Sequence, residues 1–257
     1  MPKRIRPIGH EDRLSLIEHL DELRSRIIIA LATFGVALGL CFWQNHLLLH
    51  IANHPLGHHR HPVTLGVAEP FTTTLTIAAY AAILLAMPVV LYELYAFVIP
   101  AFSPSERKLA LPLLLMVPFL FVGGVVFAYF VVLPAALQFL LHFNQHQFNT
   151  QIRARDYYSF FSLTLLAVGG IFQLPVLILG LVRVGITSPA KLRKNRRYAI
   201  LVCAIVAAAL PGVDPVSMLL EMLPLVVLYE LSILLAAAFG GSGSAEVGEH
   251  LASAEGS

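Results

Sequence analysis

Long apolar runs, separated by short segments that hold nearly all the charge, dominate this sequence of 257 residues. The six runs are 27–43, 71–99, 109–133, 157–182, 198–210 and 216–239. Only 12% of the residues are charged, against about 25% in a typical soluble domain. A bilayer requires about 20 apolar residues per span, and each span must satisfy its own backbone polar groups, so such runs form helices. The sequence therefore predicts an all-α polytopic membrane protein with six transmembrane helices.

The fifth run is too short for an ordinary span. As a helix, residues 198–210 would reach about 20 Å, whereas the hydrocarbon core is about 30 Å thick. The turn sequence PGVDP follows at 211–215. We therefore expect helices five and six to form a short hairpin whose turn lies below the membrane surface. A re-entrant loop is the alternative.

The lysines and arginines are distributed unequally between the two sides of such a domain. Arg60, Arg153 and Arg155 fall on one side. The other 14 fall on the side of the N-terminus: Lys3, Arg4, Arg6, Arg13, Arg24, Arg26, Arg107, Lys108, Arg183, Lys191, Arg193, Lys194, Arg196 and Arg197. Because basic loops stay in the cytoplasm, we expect an inner-membrane protein with both termini cytoplasmic. Residues 1–240 would form one membrane domain, followed by a disordered polar tail at 241–257.

Residues 14–26, LSLIEHLDELRSR, predict an amphipathic helix that runs along the membrane interface into the first span. Its apolar stripe is formed by Leu16, Leu20, Leu23 and Ile27. Ser15 and Glu18 fit a capping box at its start. Glu22 has two interpretations: a solvated acid that pairs with Arg26 one turn away, or part of a docking face for a cationic partner.

Acidic and amide side chains inside the spans are the other candidates for function. Charge at membrane depth is costly and marks functional sites unless a neighbouring helix satisfies it. These residues are Glu93, Gln173, Glu221 and Glu230. Pro88, Pro175 and Pro224 should kink three helices and open the bundle into a concave shape. One interpretation is therefore a proton- or ion-coupled secondary transporter, although no internal repeat supports it.

Catalysis, cofactors and nucleic acid find no support in the sequence. The motifs G-x-S-x-G, H-E-x-x-H and the phosphate-binding loop are missing. Cys41 and Cys203 lie in apolar runs as small hydrophobes. The loop after the first run holds six histidines, but it has no accompanying carboxylates or cysteines, so we expect no metal site there: His46, His50, His54, His58, His59 and His61. Glu106 fits a capping box with Ser103.

Several ordered segments resemble the TatC family, the receptor subunit of the twin-arginine translocase. They are HLDELRSR at 19–26, EPFTTTLTIAAYAAILLAMPVVLYELYAFVIPAF at 69–102, AYFVVLPAALQFL at 128–140, FQLP at 172–175, GITSPAKLRKNRRYAI at 185–200 and PGVDPVS at 211–217. The resemblance runs from about residue 19 to 239 and implies a concave, glove-shaped six-span bundle. It also implies a non-enzymatic receptor that binds twin-arginine signal peptides of folded cargo. The bound partners would include single-span TatA/TatB-type subunits, membrane lipid and further copies of the chain.

The resemblance also implies which residues act. The positions that match the signal-peptide-binding motifs are His19, Glu22, Arg24, Phe97 and Glu106, and the matching loop positions are Pro55 and Asp214. Two positions depart from the family pattern. Gln173 replaces a frequent Glu, and Met218 replaces a frequent Gln in the last span, where Glu221 lies one turn further on.

Overall fold

The computed structural model describes residues 10–57, 62–98, 107–143, 147, 150–183, 186–209 and 215–239, without the side chains of 10–19, 98, 107–115, 183, 217 and 239. Ten α-helices are described: α1 (His10–Trp43), α2 (Asn45–Asn53), α3 (Glu69–Val98), α4 (Arg107–Phe127), α5 (Leu133–His142), α6 (Ala154–Ile171), α7 (Leu174–Arg183), α8 (Pro189–Lys194), α9 (Arg196–Ala209) and α10 (Pro215–Phe239). A 3-10 turn, His54–Leu56, follows α2, and a π-helical turn, Ala128–Val132, joins α4 to α5.

The predicted all-α membrane fold is confirmed. Among the described residues, five segments are long and apolar enough to cross a membrane: Leu20–Trp43, Glu69–Phe97, Met116–His142, Ala154–Val182 and Met218–Ala238. The fifth predicted run corresponds to α9, which has only 14 residues and, as expected, is too short to be one of these five segments. The last helix, α10, has 25 residues, so only one of the two helices expected to be short is short. The PGVDP turn lies largely outside the described residues.

The bundle has two ends, which we name by their charge. The "basic end" holds the start of α1, the end of α3 and the segment from α8 to the start of α9. The "opposite end" holds α2 and the starts of α3 and α6. The predicted amphipathic segment 14–26 lies at the basic end within α1, one continuous helix of 34 residues. Because α1 already includes His10, the prediction that a capping box of Ser15 and Glu18 starts this helix is wrong.

Small side chains bring α1 and α3 together. The contact is a cluster of Ala37 and Cys41 on α1 with Ala78 and Ala82 on α3. Residues of this size let two membrane helices approach closely. Most other apolar side chains of α1, such as Leu31 and Val36, are exposed at the lipid-facing surface.

Two glycines fix the crossing of α4 and α6. A Cβ atom on Gly124 would lie 2.8 Å from Cγ of Phe172 and 3.0 Å from Cα of Gly169. A Cβ atom on Gly169 would lie 2.9 Å from a ring carbon of Phe121. The helices therefore meet at a distance that leaves no room for a side chain at either position.

The fourth span is broken where the sequence places its polar residue. Helix α6 ends at Ile171 and α7 begins at Leu174, with Phe172 and Gln173 between them and Pro175 in the first turn of α7. A proline cannot donate a backbone hydrogen bond, which explains the break. The helices α3 and α10 continue through Pro88 and Pro224.

At the opposite end, tyrosines from other helices cap α2. The hydroxyl of Tyr129 donates to the carbonyl of Ile51 (3.0 Å), that of Tyr157 donates to the carbonyl of Ala52, and that of Tyr158 donates to Oδ1 of Asn53 (2.9 Å). The last carbonyls of a helix have no partner within the helix. Tyr129 and Tyr157 add donors to two of these carbonyls, and Tyr158 holds the side chain of the last residue, so that α2 is tied to α6 and to the π-helical turn.

Candidate functional site

One guanidinium joins two carboxylates at the basic end. Nε and Nη2 of Arg26 donate to Oε1 of Glu22 at 3.1 and 2.5 Å, and Nη1 donates to Oε2 of Glu93 at 2.6 Å. Glu22 and Arg26 lie one turn apart on α1, whereas Glu93 lies near the end of α3. The close packing of α1 on α3 brings them together. We call these three side chains the Arg26 cluster.

The Arg26 cluster lies at the edge of solvent and carries one positive and two negative formal charges. Its side chains are 21% (Arg26), 37% (Glu22) and 17% (Glu93) exposed. A half-buried site strengthens charge-assisted hydrogen bonds, while the exposed fraction keeps it accessible to a charged partner. The arrangement is suited to holding guanidinium groups, because a carboxylate accepts two parallel N–H bonds from such a fork.

Only some of the predicted signal-peptide residues are described with their side chains. Arg24 is exposed, and Phe97 is half-buried near the end of α3. His19 is part of α1, but its side chain lies outside the described residues, as do Glu106 and Asp214 entirely. Pro55 is half-buried in the 3-10 turn that follows α2, where its missing N–H cannot continue the hydrogen-bond pattern of the helix.

The predicted polar residues of the spans fall into two groups. Glu93 and Glu230 are ion-paired at the basic end. Glu230 pairs with Arg196 at 2.7 Å, and the side chains of this pair are 41% and 51% exposed. Gln173 and Glu221 are 4% and 2% exposed. Nε2 of Gln173 donates to the carbonyl of Val117 at 3.3 Å, so this amide links the broken span to α4. The described ion pairs thus account for two of the four residues that suggested a transporter.

The sequence did not indicate that Arg26 bridges two helices. It offered the pair of Glu22 with Arg26 as one of two interpretations, and that pair is present. The third member, Glu93, is 67 residues away from Arg26 in the chain, and no periodicity relates the two. Only the packing of α1 against α3 could have identified it.

A second ion pair, at the opposite end, was also missed. Nε of Arg153 donates to Oε1 of Glu69 at 2.8 Å, and the amides of Leu65 and Gly66 donate to Oε2 of Glu69 at 2.8 and 3.1 Å. The hydrogen bond to Glu69 raises the pKa of Arg153 above its usual range. Beside the pair, Val63 and Arg153 form a parallel bridge that holds the loop to the start of α6. Both carboxylate oxygens of Glu69 therefore accept hydrogen bonds, so we call the pair saturated. Its described contacts hold the loop before α3 to the start of α6, and we call it a structural clamp.

Apolar space lies between the helices at mid-bundle. A cavity of about 550 Å³ is lined by side chains of α2, α3, α4 and α6, among them Ile77, Leu84, Phe130 and Leu165. It fits the predicted concave shape. Within the described ranges, no group of three histidine, cysteine, aspartate or glutamate side chains could hold a metal ion. His58, His59 and His61 lie outside those ranges.

The fold and the Arg26 cluster define a class: a multi-pass α-helical inner-membrane protein with an acid-rich cluster at its basic end. Residues 18–224 match the family model of TatC, the Sec-independent protein translocase protein. The chain is 39% identical over 229 residues to TatC of Carboxydothermus hydrogenoformans, covering 88% of this chain and 94% of that one. It is 34% identical to TatC of Desulforapulum autotrophicum, covering 90% and 87%.

A solved structure agrees with these relatives. The crystal structure of the twin arginine translocase receptor TatC in DDM matches with a TM-score of 0.75 and 34% identity, covering 84% of this chain and 98% of that one. The chain belongs to the TatC family of Sec-independent protein translocases. The predicted family is thereby confirmed.

Proposed function

We propose that this chain is the receptor that binds twin-arginine signal peptides of folded proteins at its basic end. The observation that carries the proposal is the Arg26 cluster, in which carboxylates from two helices converge on one guanidinium. In this view Arg26 holds Glu22 and Glu93 in the geometry that an incoming arginine requires. An arginine of the peptide then shares or replaces the hydrogen bonds of Arg26.

Guanidinium chemistry explains why such a site would prefer Arg-Arg to Lys-Lys. Arginine presents a planar fork of five N–H donors that matches a carboxylate, whereas lysine presents a compact ammonium without that geometry. Two fixed carboxylates on adjacent helices bind a guanidinium more tightly than an ammonium of equal charge, because only the guanidinium can form paired hydrogen bonds with them. Glu106 is the second predicted acid of the site, and His19, Arg24 and Phe97 are its other predicted members.

The remaining parts of the proposal follow from the fold and the family. The basic end would face the cytoplasm, because 14 of 17 basic residues lie on that side. The short α9 exposes Leu201, Val202 and Ile205, an apolar face on which a single-span TatA/TatB-type subunit would pack. Met218, where many family members carry Gln, packs instead against the buried cluster of Cys203, Ala207 and Leu225. Assembly with such subunits and further copies would support export driven by the proton-motive force, without catalysis by the chain itself.

Photocrosslinking tests the receptor role directly. A photoreactive residue at position 22 or 106, in the full chain in membranes, is exposed to a signal peptide with Arg-Arg or with Lys-Lys. We expect strong crosslinks to the Arg-Arg peptide and weak ones to the Lys-Lys peptide. Equal crosslinking to both peptides would rule out a receptor that reads the arginine pair.

Substitution of the acids tests the site. Glu22→Ala and Glu106→Ala should each weaken peptide binding by about tenfold, which corresponds to about 1.4 kcal/mol. The crosslinking yield as a function of peptide concentration measures this binding. Glu230→Gln is the matched control, since Glu230 is an ion-paired acid at the same end but outside the Arg26 cluster. Normal binding by both alanine variants would mean that the site lies elsewhere.

A further inference from the structure

A polar cavity at the opposite end has no role in the proposed peptide site. It measures about 440 Å³ and lies between the first turns of α3 and of α6. Hydroxyls of Thr72, Thr73 and Thr76 line it from α3, Arg155 and Ser159 line it from α6, and two tyrosines complete the wall. All of its described lining residues are polar, although both helices cross the membrane.

One lining hydroxyl has no partner within the protein. Thr73 is 6% exposed, and its Oγ1 atom makes no hydrogen bond in the described structure. The other threonines differ, because Thr72 and Thr76 donate to backbone carbonyls of their own helix. A buried hydroxyl without a partner costs free energy, so a ligand that accepts its hydrogen would remove that cost.

The charges around the cavity favour an anion. Arg155 is exposed and has no ion-pair partner among the described residues, and it lies in the first turn of α6, where the helix dipole also attracts negative charge. Glu69, the nearest acid on α3, is neutralised by Arg153 and two backbone amides. Asp156 is exposed, and its charge contributes to raising the pKa of Arg153.

The depth of the cavity suggests the chemistry of that anion. Thr73 lies four residues into α3, about 6 Å below its first residue, and about 30 Å from Glu93 along the same helix. The ends of spanning helices lie at the level of the lipid headgroups. We propose that this cavity binds a phosphate group, supplied by the headgroup of an anionic phospholipid of the leaflet at the opposite end.

Lipid titration of the purified full chain in detergent tests the proposal, with native mass spectrometry as the readout. Wild type should bind one phosphatidylglycerol preferentially over phosphatidylcholine. Arg155→Gln should weaken that binding about tenfold and Thr73→Val by several-fold, as expected for a lost hydrogen bond to a charged group. The neighbouring Thr74→Val is the matched control, since Thr74 is half-buried, donates to the carbonyl of Pro70 and lies outside the cavity. Arg193→Gln controls for the loss of an exposed arginine at the other end.

Further measurements distinguish a lipid headgroup from soluble phosphate, and a bound anion from water. If millimolar inorganic phosphate displaces the lipid from wild type but not from Arg155→Gln, the anion site stands and its source is soluble phosphate. If Thr73→Val and Arg155→Gln bind phosphatidylglycerol as tightly as Thr74→Val, the cavity holds only water and the proposal is wrong. Equal binding of phosphatidylcholine and phosphatidylglycerol by wild type would also overturn it. Without lipid, Thr73→Val should melt at or above the wild-type temperature, because it removes an unpartnered hydroxyl.

Discussion

The two ends of the bundle hold their acids in different ways. At the opposite end, both oxygens of Glu69 are engaged by Arg153 and by two backbone amides, and the side chain is 7% exposed. At the basic end, Glu22 and Glu93 share one guanidinium, and the Glu22 side chain is 37% exposed. The Glu69 carboxylate holds the loop at Leu65 and Gly66 to the start of α6. The other two lie on a surface that a partner can reach.

This difference separates scaffold from binding surface. The opposite end combines the saturated pair with tyrosine caps on α2. Groups with fixed partners resist movement, whereas a cluster that shares one cation among two acids can exchange that cation for another at little cost. We therefore expect substitutions at the opposite end to change stability, and substitutions in the Arg26 cluster to change binding.

The largest effect should come from the double variant Glu22→Gln, Glu93→Gln. Each substitution removes a charge-assisted acceptor worth about 1.5–3 kcal/mol, so the pair should weaken binding of an Arg-Arg peptide by about 100-fold or more. The melting temperature should change little, because Arg26 remains near solvent. Fluorescence anisotropy of a labelled peptide measures binding, and a detergent melting curve measures stability.

The crossed control for this variant is Glu69→Gln. It removes a carboxylate of similar chemistry at the opposite end, where we expect a lower melting temperature and unchanged peptide affinity. The comparison fails if Glu69→Gln weakens peptide binding as much as the double variant does. It also fails if the double variant unfolds the protein while Glu69→Gln does not.

A smaller effect, on stability alone, should follow from Gly124→Ala. The new methyl group would lie 2.8 Å from Cγ of Phe172 and 3.0 Å from the backbone of Gly169, and overpacking of this kind costs about 1–3 kcal/mol. The matched control is the adjacent Gly123→Ala, whose Cβ would meet nothing within 4 Å. Unfolding in a denaturing detergent titration measures both. Equal stability of the two variants would show that α4 and α6 can separate without cost.

The sequence predicted the elements better than the contacts between them. The apolar runs predicted the membrane helices, because the thickness and dryness of the bilayer restrict what a long uncharged segment can form. The pair of Glu22 with Arg26 was accessible because helical spacing relates residues four apart. The bridge to Glu93, the clamp of Glu69 with Arg153 and the Gly124–Gly169 contact join distant segments, and only the packed bundle defines them. The run 216–239 matched the extent of α10, and the expectation that this helix would be short came only from pairing it in a hairpin with the short run before it.

The smallest effect should come from Tyr157→Phe, which tests whether the caps on α2 stabilise the opposite end. Tyr157 is 5% exposed, and its hydroxyl donates to the carbonyl of Ala52, which is buried. Removing the hydroxyl leaves that carbonyl without its cap and should cost about 0.5–1.5 kcal/mol of unfolding free energy. The control is Tyr198→Phe at the basic end, where the residue is 54% exposed and its hydroxyl accepts a hydrogen bond from Arg197 in the described structure. Peptide affinity should stay at the wild-type value in both variants, since neither hydroxyl contacts the Arg26 cluster. A loss of affinity in Tyr157→Phe would mean that the two ends are coupled through α3 and α6, and that the opposite end is more than a scaffold.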